Sequence, residues 1–309
     1  MTRPPLRIAT RGSPMALHQT ALVHARLVAA HPQLAADGAV EIVPIRTTGD
    51  RVQDRRLAEI GGKGLFTKEI DEGLRAGRVD LAVHSLKDLE TWLPAGLVIA
   101  CVPPRDDPRD ALIARGAARL ADLPRGARVG TASLRRQAQL LRFRRDFAIG
   151  PIRGNAGTRL KKLEDGAFDA IVLALCGIER LGEADRASEI LPPEVMLPAV
   201  GQGALAVECR ADDDMVRQLL APLDDPATAA CVGAERAMLA ALDGSCRTPI
   251  AGLATLEGGR LTLDARLLKP DGSGELRACR SGALGDAQRI GTETGEELRR
   301  RAGADYGFA

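Results

Sequence analysis

Leu6-Arg7-Ile8-Ala9-Thr10, turning through Arg11-Gly12-Ser13-Pro14 into an amphipathic run that ends near Ala30, decides the fold class. Residues 6–10 read as a buried strand, Ser13 is placed to cap a helix, and Pro14 suits the first helical position, where its missing N–H loses no bond. The same alternation recurs downstream. Residues 40–46 form a second predicted strand, 65–76 a helix, and 79–84 a short buried strand that runs into Ser85-Leu86-Lys87-Asp88. Strands are next expected at 128–130, just before Arg153 and at 170–175, with helices from Ser133 and Thr158. Repeated strand–helix units imply an α/β protein with mostly parallel sheets, whose ligands gather at the carboxyl ends of the strands.

Breaks in this pattern mark the domains. Val102-Pro103-Pro104-Arg105-Asp106-Asp107-Pro108-Arg109 has the composition of a crossover, and Leu191-Pro192-Pro193 and Leu197-Pro198 mark a second boundary. Residues 202–210 read as a strand able to return to the first sheet. From 227 onward the pattern changes to a long helix to 242, strands at 250–256 and 261–267, and a helix near 291–302. The expected division is therefore a discontinuous first domain (1–103 with 200–221), a second domain (104–199) and a small α+β third domain (222–309). Residues 47–64 are polar, glycine-rich and long for a connection, which makes them a candidate lid.

Composition narrows the function. The chain has 309 residues, 45% of them hydrophobic, with a formal net charge of +2. No apolar run reaches the roughly 18 residues of a membrane helix, and residues 1–6 do not resemble the start of a secretory signal, so a cytosolic protein is expected. Seven aromatic residues offer little for bases to stack on, which argues against a nucleic-acid partner. The cysteines, Cys101, Cys176, Cys209, Cys231, Cys246 and Cys279, form no metal-ligand spacing, and most are expected to be buried thiols.

Among the 43 basic residues, Arg far outnumbers Lys, and five arginines fall at strand-to-helix turns: Arg11, Arg135, Arg136, Arg153 and Arg159. With Thr131 and Ser133 beside a helix N-terminus they describe a cradle for a small molecule carrying several carboxylates or phosphates. Any single one of them reads more readily as a solvated helix residue, and it is the recurrence of five in the same kind of position that points to a cradle. Asp88 beside Lys87 is a carboxylate expected to stay ionised, suited to proton transfer or to facing a developing cation; capping of the next helix is the plain alternative. His84 reads as a buried supporting histidine. Gly61-Gly62-Lys63-Gly64 lacks the spacing of a phosphate-binding loop. Cys246, in Asp243-Gly244-Ser245-Cys246-Arg247-Thr248-Pro249-Ile250, is either a structural turn cysteine or an attachment point.

Taken together these segments resemble the porphobilinogen deaminase (hydroxymethylbilane synthase) family over nearly the whole chain. The most specific piece runs from Glu235-Arg236 to Leu242-Asp243-Gly244-Ser245-Cys246-Arg247-Thr248-Pro249-Ile250. Arg7-Ile8-Ala9-Thr10-Arg11, Gly61-Gly62-Lys63-Gly64-Leu65-Phe66, His84-Ser85-Leu86-Lys87-Asp88, Asp107-Pro108-Arg109-Asp110, Ser133-Leu134-Arg135-Arg136-Gln137, Arg153-Gly154-Asn155 and Leu197-Pro198-Ala199-Val200-Gly201-Gln202-Gly203 follow in family order.

The resemblance implies two periplasmic-binding-protein-like βα domains around a cleft, with a small α+β C-terminal domain. It also implies a transferase that condenses four porphobilinogen molecules, with loss of ammonia, onto a dipyrromethane primer held by a thioether to Cys246, and releases hydroxymethylbilane by hydrolysis. Carried over by motif, Asp88 is the catalytic carboxylate. Arg135, Arg136, Ser133, Thr131, Lys87 and Ser85 bind the cofactor, with Asp88 among them. Arg11, Arg153, Arg159 and Arg180 bind substrate carboxylates, and Lys63 and Phe66 belong to the lid. A cytoplasmic monomer with a small-molecule substrate and no nucleic-acid or membrane partner is implied. One departure stands out: the family commonly has Pro two residues after the aspartate, whereas this chain has Glu90, a second carboxylate expected to act on rate through the Asp88 pKa or the turn. The residues alone leave open a non-catalytic organic-anion-binding protein or a degenerate homologue.

Overall fold

The computed structural model describes residues 5–51, 64–243, 248–303 and 306. The chain divides into two compact units, Met1–Arg105 with Ala204–Ala229, and Asp106–Gly203 with Ala230–Ala309.

The first unit is built on a five-stranded sheet. Its strands are β1 (Leu6–Arg11), β2 (Val40–Ile45), β3 (Leu81–Ser85), β4 (Leu97–Cys101) and the returning β10 (Leu205–Arg210), in the order β2-β1-β3-β10-β4. β1 pairs parallel with β2 and with β3, where Ile8 is opposite Leu81. The carboxyl ends of β1 and β3 therefore leave the same edge of the sheet. Helix Pro14–Ala30 starts as its sequence requires, with the Ser13 hydroxyl accepting from the Ala16 N–H at 3.2 Å. Its Val23 and Leu27 are fully buried in one core cluster with Ile8, Leu81 and Val207.

In the second unit β5 (Asp110–Ala114), β6 (Arg128–Gly130), β7 (Ala148–Gly150), β8 (Ala170–Ala174) and β9 (Glu189–Leu191) form a sheet in the order β7-β6-β8-β5-β9. The same unit contains an antiparallel sheet of β11 (Ile250–Glu257), β12 (Arg260–Leu268) and β13 (Glu275–Ala283). Helices Pro226–Ala241 and Ala287–Ala302 pack on it around Met238, Leu263 and Leu298. The two helices approach closely at Gly291, where a Cβ would fall 2.1 Å from the Ala234 carbonyl oxygen. Only glycine lets backbones come so near.

Both larger sheets are mixed rather than mostly parallel. β10 runs antiparallel to β3 and β4, and β5 runs antiparallel to β8 and β9. These strands enter where the chain passes from one unit to the other, without the crossover helix that makes neighbours parallel. The anticipated return of residues 202–210 is present as β10. Helix Ala156–Glu164 begins two residues before the expected Thr158, because the Asn155 side chain caps it through the Thr158 N–H at 2.9 Å. Within the candidate lid, Thr48–Arg51 is a helical turn and Gly64 opens another. Residues 52–63, with Lys63, and residues 244–247, with Cys246, lie outside the described residues. No helix among the described residues is long and apolar enough to cross a membrane.

Candidate functional site

In the first unit the candidate residues gather beyond the carboxyl ends of β1 and β3. Four consecutive buried residues, Leu81–His84, carry β3 through the core, and a 3-10 turn over Leu86–Asp88 follows. Leu86 and Leu89 are buried on either side, and the Leu86 N–H donates to the Ala204 carbonyl at 3.0 Å. Asp88 is exposed between them, so a rigid turn holds the carboxylate toward solvent. Ser85 is bonded to Gln19, whose Nε2 donates to its hydroxyl at 2.8 Å, and Lys87 is half-buried.

Behind this turn His84 and Glu208 are buried together, with Nε2 and Oε2 3.2 Å apart. Asp71 belongs to the same buried group. Loss of solvent, followed by the nearby Glu208 charge, pushes its carboxyl up to about 6. His84 thus takes the supporting position expected of it.

Arg11, at the end of β1, is held on two sides. Its guanidinium pairs with Asp50 and lies 4.1 Å from the centroid of the Phe66 ring. Burial alone would raise the Asp50 carboxyl, yet the hydrogen bond from Arg11 keeps it below its ordinary range.

In the second unit β7, β6 and β8 are neighbours, with β6 parallel to both, so the segments after them share one edge of the sheet. Helix Leu134–Phe143 starts there, capped by Ser133, whose Oγ accepts from the Arg136 N–H at 3.4 Å. The buried Thr131 hydroxyl accepts from the Ser133 N–H at 3.2 Å. Arg135 and Arg136 point inward and converge on Asp110, at 2.8 and 2.7 Å. Gln202 Nε2 donates to the same carboxylate at 2.9 Å. Asp110 is fully buried, which opposes ionisation, but the two guanidiniums hold it well below the usual carboxylate range. With Arg135 and Arg136 charged as well, the cluster carries one surplus positive charge.

Arg153 follows β7, and Arg180 lies just past the short helix Leu175–Glu179 that follows β8. Arg180 pairs with Asp106 at 2.7 Å and donates to the Gly203 carbonyl at 3.0 Å. Arg159 donates from Nε to the Gly154 carbonyl at 2.8 Å. Arg153 Nη1 and Arg135 Nε are buried with no hydrogen-bond partner among the described residues. Orphaned cationic N–H groups, a surplus charge and hydroxyls at a helix N-terminus fit a ligand with carboxylate arms.

The main feature absent from the sequence reading is the set of partners. Four candidate arginines already hold an aspartate: Arg11 with Asp50, Arg135 and Arg136 with Asp110, and Arg180 with Asp106. Gln19 and Glu208 carry no signal in the sequence, and Gln202 stands there only inside a family segment with no partner indicated. Each lies far along the chain from the group it touches, and no local motif announces such a pairing. Among the described cysteines Cys101, Cys176, Cys209 and Cys231 are buried and Cys279 is exposed. Burial pushes the Cys101 thiol up to about 12 and the Cys209 thiol up to about 11, so neither is poised as a nucleophile.

Comparison with known proteins agrees with the resemblance seen in the sequence. The family described as "Porphobilinogen deaminase, dipyromethane cofactor binding domain" matches residues 6–218, and "Porphobilinogen deaminase, C-terminal domain" matches 229–300. A protein of Sorangium cellulosum named porphobilinogen deaminase is 52% identical over 96% of this chain and 98% of its own length. One of the same name from Paracoccus denitrificans is 54% identical over 98% of this chain and 96% of its own length. Among solved structures, a TRAP periplasmic solute binding protein from Desulfovibrio salexigens aligns with a TM-score of 0.41 at 12% identity, covering 72% of this chain and 73% of that one.

Proposed function

Because the chain belongs to the porphobilinogen deaminase family, we propose that it condenses four porphobilinogen molecules head to tail, with loss of ammonia, and releases hydroxymethylbilane by hydrolysis, a transferase reaction of tetrapyrrole and haem biosynthesis. The observation that carries this reading is the similarity along nearly the full length of both this chain and its relatives. Nothing favours the solute-binding alternative.

Dipyrromethane, attached through Cys246, supplies when bound the primer on which the first porphobilinogen is condensed. Arg135, Arg136, Thr131 and Ser133 would hold its carboxylate arms, and Ser85, Lys87 and Asp88 are also assigned to its binding. The surplus charge around Asp110 and the orphaned Arg135 Nε support that assignment. Arg11, Arg153, Arg159 and Arg180 would bind the acetate and propionate groups of incoming substrate, and Lys63 and Phe66 would belong to the segment that covers it. Asp88 is the proposed catalytic group. Its carboxylate holds the substrate's ammonium group, the C–N bond breaks as ammonia leaves with the bonding pair, and the same carboxylate faces the cationic pyrrole and takes up the proton that the condensation releases. Its exposure on a rigid turn supports this role.

The proposal includes a three-domain division with its third domain at 222–309, supported by that region's own sheet and core, and a monomer working in the cytoplasm. Intact mass of the purified protein, beside a Cys246→Ser variant, tests the reading. A covalent addition equal to two condensed porphobilinogen units is expected in the parent and not in the variant. A bare parent chain, still bare after incubation with porphobilinogen, refutes it.

A further inference from the structure

Glu90 follows Asp88 by two residues, at the position where the family resemblance puts a proline. A proline side chain has no hydrogen-bonding group, so what the Glu90 carboxylate does belongs to this chain. Its Oε1 accepts from the Gly64 N–H.

Gly64 opens the turn that leads into helix Lys68–Arg75. Its φ of +72° suits glycine, and its carbonyl accepts from the Thr67 and Lys68 N–H groups at 3.1 and 2.9 Å. Inside that turn the Leu65 carbonyl accepts from the Gly49 N–H at 2.7 Å. The Phe66 ring packs so closely on Gly49 that a Cβ there would fall 2.3 Å from the ring, and its face lies 4.1 Å from the Arg11 guanidinium. One continuous path of contacts therefore joins the Asp88 turn to Arg11 through Glu90, Gly64 and Phe66. A backbone N–H donating to a carboxylate is among the stronger links such a path contains.

We propose that Glu90 is a positioning residue: by fixing the 64–67 turn it holds Phe66 against Arg11, and so orients that guanidinium for a substrate carboxylate. The proposal rests on the function assigned above. It places the effect of Glu90 on binding, through Arg11, and not on the proton chemistry of Asp88.

Three variants of the holoenzyme test it: Glu90→Ala, Glu90→Gln and Phe66→Leu. The readouts are steady-state kinetics with porphobilinogen and hydrogen–deuterium exchange of the peptide covering residues 64–67. Glu90→Ala should raise KM about 3–10-fold with kcat within about twofold, the signature of lost binding. Exchange of the turn amides should be at least about tenfold faster. Glu90→Gln keeps an oxygen that accepts from Gly64 and should stay within about twofold of the parent in both readouts. Phe66→Leu should raise KM by a similar factor, and the Glu90→Ala/Phe66→Leu double variant no further, since both act on one contact. Unchanged exchange in Glu90→Ala overturns the tether whether or not the protein turns over porphobilinogen. A fall in kcat at constant KM overturns the assignment to Arg11, and full additivity in the double variant breaks the path through Phe66. A parent that exchanges slowly at 64–67 but does not consume porphobilinogen refutes the function and leaves the tether standing.

Discussion

Replacing Asp110 with Asn removes the single negative charge that Arg135 and Arg136 share. Arg135 and Arg136 are only 5% and 7% exposed, so water cannot take over. Two opposite charges about 4 Å apart attract by about 4 kcal/mol at an effective dielectric of about 20. Stripping one partner from a buried pair costs about 3–5 kcal/mol, because the remaining charge stays buried. The asparagine oxygen keeps part of the hydrogen bonding, which places the expected loss near the lower end. For a unit of this size each kcal/mol moves the midpoint by about 2–4 °C, so calorimetry should show the transition lowered by roughly 6–12 °C. Because the Asp110 carboxyl is held below its ordinary range, its contribution is complete above about pH 4 and disappears only in stronger acid. The gap between parent and variant should therefore be flat from about pH 5 to 8 and narrow below about pH 4. Adding Arg136→Leu removes one of the stranded cations, and the double variant should lose at least about 1 kcal/mol less than the sum of the singles. A shift under about 2 °C for Asp110→Asn, or strict additivity, would refute the charge-sharing argument.

Two further outcomes follow from geometry already described. Asp88→Ala should lower turnover by at least about 10² while leaving the melting temperature unchanged, since the group is exposed and acts on a proton; near-normal turnover removes Asp88 from its role. For Asp71 the folded carboxyl titrates near 6 and the unfolded one near 3.9, so the stability its proton contributes is complete below about pH 4 and lost as the pH rises through 6. Asp71→Asn should thus gain on the parent between about pH 4 and 6, by about 1–3 kcal/mol, and hold that gain above; parallel stability curves across this range would contradict the buried-carboxyl account.

Local chemistry was legible where the chain signals it locally. Ser13 and Ser133 cap the helices their sequence announces, and β3 ends at the turn that displays Asp88. β5 was hidden, because Asp107-Pro108-Arg109 reads as linker up to the residue where the strand begins. β13 is not legible because Glu275, Arg277 and Arg280 dilute its apolar alternation. The aspartates that occupy the arginines were illegible for another reason: Asp110 and Arg136 are 26 residues apart, and Asp106 and Arg180 are 74 apart. Spacing along the chain carries no trace of such pairs, so a row of basic residues looked like open cations when most were already matched. The Glu90 departure was visible, but its target, the amide of Gly64, was not.

The place of β10 also bears on how the protein is made. In the sheet order β2-β1-β3-β10-β4, it is β4's one neighbour among the described residues and covers the otherwise open side of β3. β4 ends at Cys101 and β10 begins at Leu205, and every strand from β5 to β9 is encoded between them. A ribosome adding about 5–20 residues per second needs about 5–20 s to cross that interval. All five strands of the second sheet are thus synthesised before β10 can cover the bare edges of β3 and β4, the kind of surface that invites mispairing. The sheet begun first can be closed only after every strand of the second has been made.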